Sequence, residues 1–177
     1  EKLGMDPFEI RLKNVVKPGQ ILPNGQIATS DCGITECMEA VKDAYYASDR
    51  TGIALAMKNS GIGVGVPDTG RCTMSVEGGK IHLRTSAACM GQGIATVALQ
   101  IAVETLGVDP DLIIVENPDT SRTPDSGTST ASRQTAFTGE AVRRAAEKLR
   151  IEMNEFSLKE LEGSEYFAEF CYETDPI

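Results

Sequence analysis

The chain has 177 residues, enough for one ordinary core or one core and part of another. Its 41% hydrophobic and 24% charged residues are those of a folded chain, and no apolar run reaches the ~18–20 residues that cross a membrane. The acidic balance, a net charge of −9, argues against nucleic-acid binding, which needs a basic surface, and residues 151–177 concentrate it, with eight acids against the single base Lys159, as a solvated face would.

Asp6-Pro7-Phe8-Glu9 opens the first predicted helix: an acid at the N-cap, Pro at the first helical position and Glu at the third. This helix is expected to run to about Asn14 and stop before Pro18-Gly19, with a turn at Asn24-Gly25. Ser30 or Asp31 is placed to cap a second helix that ends near Tyr46 and carries Ile34, Cys37, Met38, Val41 and Tyr45 on one face. Residues 48–52 then read as a connection.

From there the period changes. Residues 52–65 look like a Gly-rich strand, with Ile53, Leu55 and Met57 alternating before Gly61-Ile62-Gly63-Val64-Gly65. Cys72, Met74 and Val76 alternate, Glu77-Gly78-Gly79-Lys80 turns, and Ile81, Leu83 and Thr85 alternate again, which predicts a hairpin. Ile94, Val97, Ala98, Ile101, Ala102 and Leu106 recur at helical spacing before Gly107. Leu99 and Val103 on the other side imply a helix buried nearly all round. A short strand at residues 112–115 and a polar loop at 117–130 lead to a second long helix, with Phe137, Ala141, Val142, Ala145 and Leu149 inward. Its small residues, Gly139 among them, permit another backbone to pack close. Ser157 and Glu160 are spaced to cap a short helix, and Tyr166, Ala168, Phe170 and Tyr172 share one side of a last strand. The chain therefore reads as α+β, helices packed on a mixed or antiparallel sheet, with residues 1–50 and 51–177 in different domains.

Two helix starts concentrate residues suited to a ligand. At Met90-Gly91-Gln92-Gly93, glycines admit a ligand to the backbone, the helix offers unpaired N–H groups, and Gln92 adds a donor and an acceptor. Around Thr130-Ala131-Ser132-Arg133, a hydroxylic and Gly-rich loop enters another helix, and Arg133 brings a fixed charge. Taken singly, each is more simply a turn or a cap; together they suit one flat, anionic ligand. Cys89, just before the first start, reads more simply as a buried structural thiol than as a reactive one.

Other chemistries lack their residues. Five cysteines with no C-x-x-C pair fit free thiols in a reducing cytoplasm. The single histidine, His82, leaves a zinc site or a Ser-His-Asp triad short of partners. No Gly-Lys-Ser/Thr follows a glycine loop, and residues 61–65 lack dinucleotide spacing. There is no signal-peptide pattern, and a start without methionine reads as an internal piece of a longer polypeptide.

In their order these motifs resemble the xanthine dehydrogenase/aldehyde oxidase family of molybdenum hydroxylases. Residues 3–14 (Leu-Gly-Met-Asp-Pro-Phe-Glu-Ile-Arg-Leu-Lys-Asn) resemble the helix closing the family's first molybdenum-binding domain. Met90-Gly91-Gln92-Gly93 resembles its G-Q-G cofactor loop. Asp119-Thr120, Pro124-Asp125 and Thr130-Ala131-Ser132-Arg133 resemble its D-T…P-D…A-S-R stretch, and Gly139-Glu140-Ala141-Val142 the small-residue helix that follows. The resemblance implies that residues 1–50 end the first molybdenum-binding domain and that residues 51–177 begin the second. It implies that Met90, Gly91, Gln92 and Gly93 contact molybdopterin, and that Thr130, Ala131, Ser132 and Arg133 line it from the other side.

The resemblance also implies an enzyme that hydroxylates purines with water-derived oxygen, in which the rest of the large subunit and iron–sulfur and FAD modules complete the machinery. This piece would be inactive alone: the family's catalytic glutamate lies in a downstream Gly-Glu motif, for which Gly139-Glu140 is no equivalent. Cys89 stands where many members carry Glu, and residues 86–90 resemble a bacterial branch described as selenium-dependent purine hydroxylases. The competing reading is a non-catalytic module that binds a phosphate-bearing ligand or a partner subunit at the two helix starts.

Overall fold

In a computed structural model the described residues are 2–30, 32–58, 61, 63 and 65–173. They fall into two units, one within residues 2–58 and one within 61–173.

The first unit holds helices α1 (Pro7–Asn14) and α2 (Ile34–Tyr46). Asp6 caps α1 as its position predicts, its Oδ1 accepting from the N–H groups of Phe8 (2.8 Å) and Glu9 (3.1 Å). The same oxygen accepts from the Tyr46 hydroxyl at 2.9 Å, which ties the start of α1 to the end of α2. Phe8 is fully buried, with the rings of Tyr45 and Tyr46 each 5.6 Å from its own. Asn24-Gly25 forms the expected turn, closed by an Ile21–Ile27 bridge. Two expectations fail here. Gly33, not Ser30, is the N-cap of α2, and among the described residues no side chain caps it; Asp31, the other expected cap, lies outside the described residues. Of the expected face of α2, Met38 is buried and Ile34 and Tyr45 are partly so, but Cys37 and Val41 are exposed.

The second unit is a four-stranded sheet in the order β3-β2-β1-β4, with β1 (Asp68–Glu77), β2 (Lys80–Arg84), β3 (Ile113–Val115) and β4 (Glu165–Tyr172). It is mixed: β1 pairs antiparallel with β2 and β4, while β2 and β3 are parallel and joined through α3 (Ile94–Leu106). The predicted hairpin forms with Gly78 (φ 58°) and Gly79 (φ 71°) as its two-residue turn, both in the left-handed region that such a turn demands. Glu162 of the acidic tail accepts from both turn N–H groups, at 2.7 and 3.2 Å, so part of that charge caps a turn.

The alternating positions Cys72, Met74, Val76, Ile81 and Leu83 face one way and meet Ala98, Ala102 and Leu106 of α3 and Ala141, Val142, Ala145 and Leu149 of α4 (Gln134–Met153). Each Val, Ile, Leu or Met among them contributes roughly 1.5–3 kcal/mol when fully buried. Another backbone does pack close on α4, but at Gly70 of β1, whereas at the expected Gly139 the neighbour is a side chain of α3. A Cβ on Gly70 of β1 would lie 2.4 Å from the Phe137 carbonyl, so strand and helix backbones touch; a Cβ on Gly139 would lie 2.8 Å from Ile101 Cδ1 of α3.

Three elements differ from expectation. The stretch 52–65 is no strand among its described residues: 52–58 find no ladder partner there, and Gly61, Gly63 and Gly65 take φ of 102°, 131° and 69°, outside the β region; Ile62 and Val64 lie outside the described residues. Helix α3 is buried on one side only, leaving Ala95, Thr96, Gln100 and Glu104 exposed. Ser157 and Glu160 make their capping contact, with both Ser157 N–H and Oγ–H donating to Glu160 Oε2, but turns rather than a helix follow. Among the described residues no helix is long and apolar enough to cross a membrane.

Candidate functional site

The two predicted helix starts border one cavity of about 360 Å³. Met90, Gln92, Ile94 and Val97 form one wall and residues 129–135 the other. The walls meet on a single acceptor: the Ala88 carbonyl takes a hydrogen bond from Gln92 Nε2 at 2.9 Å and from Ser129 Oγ at 2.8 Å. Convergence, which spacing alone leaves open, is therefore built by the fold. Ile94, Val97 and Met90 give the cavity an apolar side, and the 129–135 turn gives it a polar one.

In neither helix does the N-cap residue, Gly93 for α3 or Arg133 for α4, make a side-chain capping bond to its own helix. The first-turn N–H groups of each, at Ile94, Ala95 and Thr96 and at Gln134, Thr135 and Ala136, have no partner within their helix and carry the positive end of its dipole. The α3 start is made of glycine: Gly91 and Gly93 sit at φ 111° and 79° with no atom within 4 Å of where a Cβ would be. Gln92 is partly spent locally, since its Oε1 accepts from Met90 N–H at 2.6 Å. One amide N–H and further lone pairs stay available at the cavity.

Cys89 differs from the expectation of burial. Its thiol is exposed, and the N–H groups of Gly91 first, then Gly93, hold it below the usual thiol pKa.

At the α4 start, Ala131 (φ 47°) and Ser132 (φ 53°) are left-handed in succession, and no other non-glycine residue described has positive φ. Such residues cost about 1–2 kcal/mol each and persist only where the surroundings over-determine them. The Ala131 carbonyl accepts from Gly61 N–H at 3.0 Å.

Arg133, expected to offer its charge to a ligand, instead turns its guanidinium inward and is 1% exposed. It pairs with the buried Asp68 carboxylate and donates to the carbonyls of Ser126 (2.6 Å), Thr128 (3.0 Å) and Thr69 (2.5 Å). What it brings to the cavity is its place in the wall, not a free charge.

Ser126, fully buried, is a second hub: its Oγ donates to the Arg71 carbonyl at 2.5 Å and lies 2.7 Å from Thr85 Oγ1. Gln134 Nε2 donates to the Thr128 carbonyl at 3.2 Å. Sequence reasoning missed Asp68 altogether and saw Ser126 only as one hydroxyl in a polar loop. Pro67 before an alternating strand gives no sign that Asp68 is buried.

A second cluster gathers on the sheet face away from the helices, where Glu77, His82 and Glu116 bring potential ligand atoms within 4.8 Å of one another. Its cation is already present. Arg84 Nη2 donates to Glu77 at 2.7 Å and to Glu116 at 2.6 Å, and Arg84 is 6% exposed. The Ser75 hydroxyl first, and Arg84 next, lower the Glu77 carboxyl to about 2. A metal here would have to displace a guanidinium that cannot deprotonate, so the cluster is an ion network of the sheet. Glu140, in the Gly-Glu dipeptide of α4, is bound to Arg143 and Arg144 and does not reach the cavity wall.

Residues 28–172 match the model of the molybdopterin cofactor-binding domain. The chain is 36% identical over 155 residues to a probable xanthine dehydrogenase subunit of Bacillus subtilis, covering 80% of this chain and 20% of that protein. It is 34% identical over 164 residues to the aldehyde oxidoreductase of Megalodesulfovibrio gigas, covering 84% and 18%. The solved aldehyde oxidoreductase from Desulfovibrio gigas superposes with a TM-score of 0.79 at 29% identity, over 96% of this chain and 21% of that one. The chain thus spans about a fifth of the length of the curated relatives it matches. With its α+β layers and its paired helix starts, it belongs to the molybdopterin cofactor-binding domain of the xanthine dehydrogenase/aldehyde oxidoreductase family of molybdenum proteins.

Proposed function

We propose that the cavity between the starts of α3 and α4 is where this chain holds the molybdenum cofactor, as one part of a larger purine hydroxylase. The carrying observation is that two helix starts, with no side-chain capping bond from their N-cap residues, border one cavity and share the Ala88 carbonyl. Its volume, about 360 Å³, lies in the range of small-molecule sites. An apolar wall suits the face of a heterocycle, and first-turn N–H groups suit a phosphate. Met90, Gly91, Gln92 and Gly93 would hold one side, with Gln92 offering its free amide N–H. Thr130, Ala131 and Ser132 would hold the other through backbone and hydroxyl groups, with Arg133 setting their geometry from behind.

When bound, the cofactor supplies the redox centre for hydroxylation with oxygen drawn from water; this chain's residues bind and orient it. Residues 1–50 end the first molybdenum-binding domain and residues 51–177 begin the second. The rest of the large subunit would bring the catalytic glutamate, and iron–sulfur and FAD subunits or domains would carry electrons away. Relatives named as subunits, such as the 6-hydroxypseudooxynicotine dehydrogenase complex subunit gamma of Paenarthrobacter nicotinovorans, support such an assembly.

The test is the molybdenum and pterin content of the full-length protein, beside the Gln92→Ala variant. Bound pterin that falls severalfold in the variant is the expected result. Folded full-length protein with neither molybdenum nor pterin overturns the proposal, and the helix starts are then ordinary turns.

A further inference from the structure

We infer that Asp68 is a positioning residue for the cofactor site, acting through Arg133 to hold the left-handed Ala131–Ser132 turn in a ligand-ready shape; the inference rests on the function proposed above. Three observations carry it. The first is strain at the wall itself: Ala131 and Ser132, both lining the cavity, take φ of 47° and 53° without being glycine. Something beyond the turn must impose that conformation.

The second is where the next side chain goes. Arg133 leaves the turn and enters the interior, where its Nε pairs with Asp68 and its two terminal nitrogens reach the carbonyls of Thr69, Ser126 and Thr128. These partners lie on both sides of it, at the start of β1 and in the loop before the turn. The guanidinium is a cross-brace whose planar fork fixes the direction in which residue 133 departs, and therefore the dihedral angles just before it.

The third is the shape of the surrounding loop. Gly127 (φ 70°) lies tight against the brace, since a Cβ there would be 3.1 Å from both terminal nitrogens of Arg133. The loop is wrapped onto the guanidinium, and Gln134 Nε2 closes it again at the Thr128 carbonyl, 3.2 Å away. Asp68, 3% exposed, supplies a carboxylate that neutralises this buried cation. It does not line the cavity. Its effect on a ligand is indirect, transmitted through one side chain to two backbone units.

The experiment compares pterin release from full-length protein for wild type, Asp68→Asn and Val142→Ala. Asn keeps the size and an acceptor at position 68 but removes the charge that orients Arg133. Val142→Ala, a truncation in the α4 core, lowers stability without touching the brace and sets the baseline for stability alone. Release rates are read at temperatures equally far below each variant's Tm. The expected result is release at least tenfold faster from Asp68→Asn than from Val142→Ala.

Equal rates at matched distance from Tm overturn the inference, because Asp68 then serves only the fold. If Asp68→Asn does not fold, Gly127→Ala takes its place, pressing on the guanidinium with both charges intact; faster release supports the brace, and release at the baseline rate overturns it. Wild-type protein that never held pterin removes the proposed function, and the role of Asp68 with it. That outcome is read from wild type alone and is not confused with failure of the brace.

Discussion

The starts of α3 and α4 border one cavity, each with first-turn N–H groups that have no partner within their own helix, and they are built by opposite means. At α3 the backbone reaches its unusual conformation through glycine: Gly91 and Gly93 are left-handed, exposed or nearly so, and surrounded by open space. Nothing is strained and little is held. At α4 the left-handed residues are Ala131 and Ser132, and the conformation is enforced by a buried cation with an acid, three carbonyls and a wrapped loop around it. The first solution depends on composition and the second on tertiary structure. A site built from both has one wall that can yield to a ligand and one that is set before the ligand arrives.

The comparison breaks most visibly at Arg133. Replacing it with Ala removes the cation paired with the buried Asp68 carboxylate, and removing one member of a buried pair costs about 3–5 kcal/mol. Hydrogen exchange should show α4 amides losing protection by that amount. An equivalent change at the other wall, Gln92→Ala, removes two local hydrogen bonds on an exposed side chain and should leave α3 protection nearly unchanged. Equal losses at the two walls would mean that the α3 start is braced in some way its hydrogen bonds do not reveal.

Smaller and opposite effects are expected from exchanging the two solutions. Gly93→Ala meets no atom within 4 Å, so its whole cost is the left-handed conformation at φ 79°, about 1–2 kcal/mol. Ala131→Gly relieves strain of the same kind while adding freedom to the unfolded chain, and should come out between neutral and about 1 kcal/mol stabilising. Protection of α3 amides in the first variant and of α4 amides in the second measures both. A clear loss in Ala131→Gly would show that the Ala131 methyl packs in a way that outweighs the strain.

How much of this was legible in the sequence follows the same division. Local signals were read correctly where local chemistry decides: the Asp6 cap, the Gly78-Gly79 turn, the Gly107 stop and the alternating core of β1 and β2. The α3 start was legible because glycine announces itself. The α4 start was only half legible. Its hydroxyls and Arg133 were visible, but the direction of the Arg133 side chain depends on Asp68, 65 positions away, and no local pattern encodes that pairing. The same limit explains the missing strand at residues 52–65, where alternation suggested a ladder but the fold provides no partner among the described residues. It also explains Cys89, whose exposure depends on how the loop before α3 is laid down.

Cys89 supplies the smallest effect and the most direct reading of the glycine-built wall. Its pKa is lowered chiefly by the N–H groups of Gly91 and Gly93, so the thiolate forms below the ordinary thiol value of ~8.5. In cofactor-free protein, its alkylation by iodoacetamide should therefore reach half its maximal rate at a lower pH than an unperturbed thiol. The linkage has a fixed sign. A group depressed on folding adds stability above its unfolded pKa and loses it as pH falls through the folded value, so that contribution is complete above the ordinary thiol value of ~8.5 and declines below it. Gly93→Ala should move the alkylation midpoint back up, because a strained helix start no longer aims its N–H groups at the sulfur. Arg133→Ala, on the other wall, should leave the midpoint where it is. A midpoint that moves with Arg133 and not with Gly93 would reverse the assignment, making the α3 start dependent on the brace rather than on its glycines.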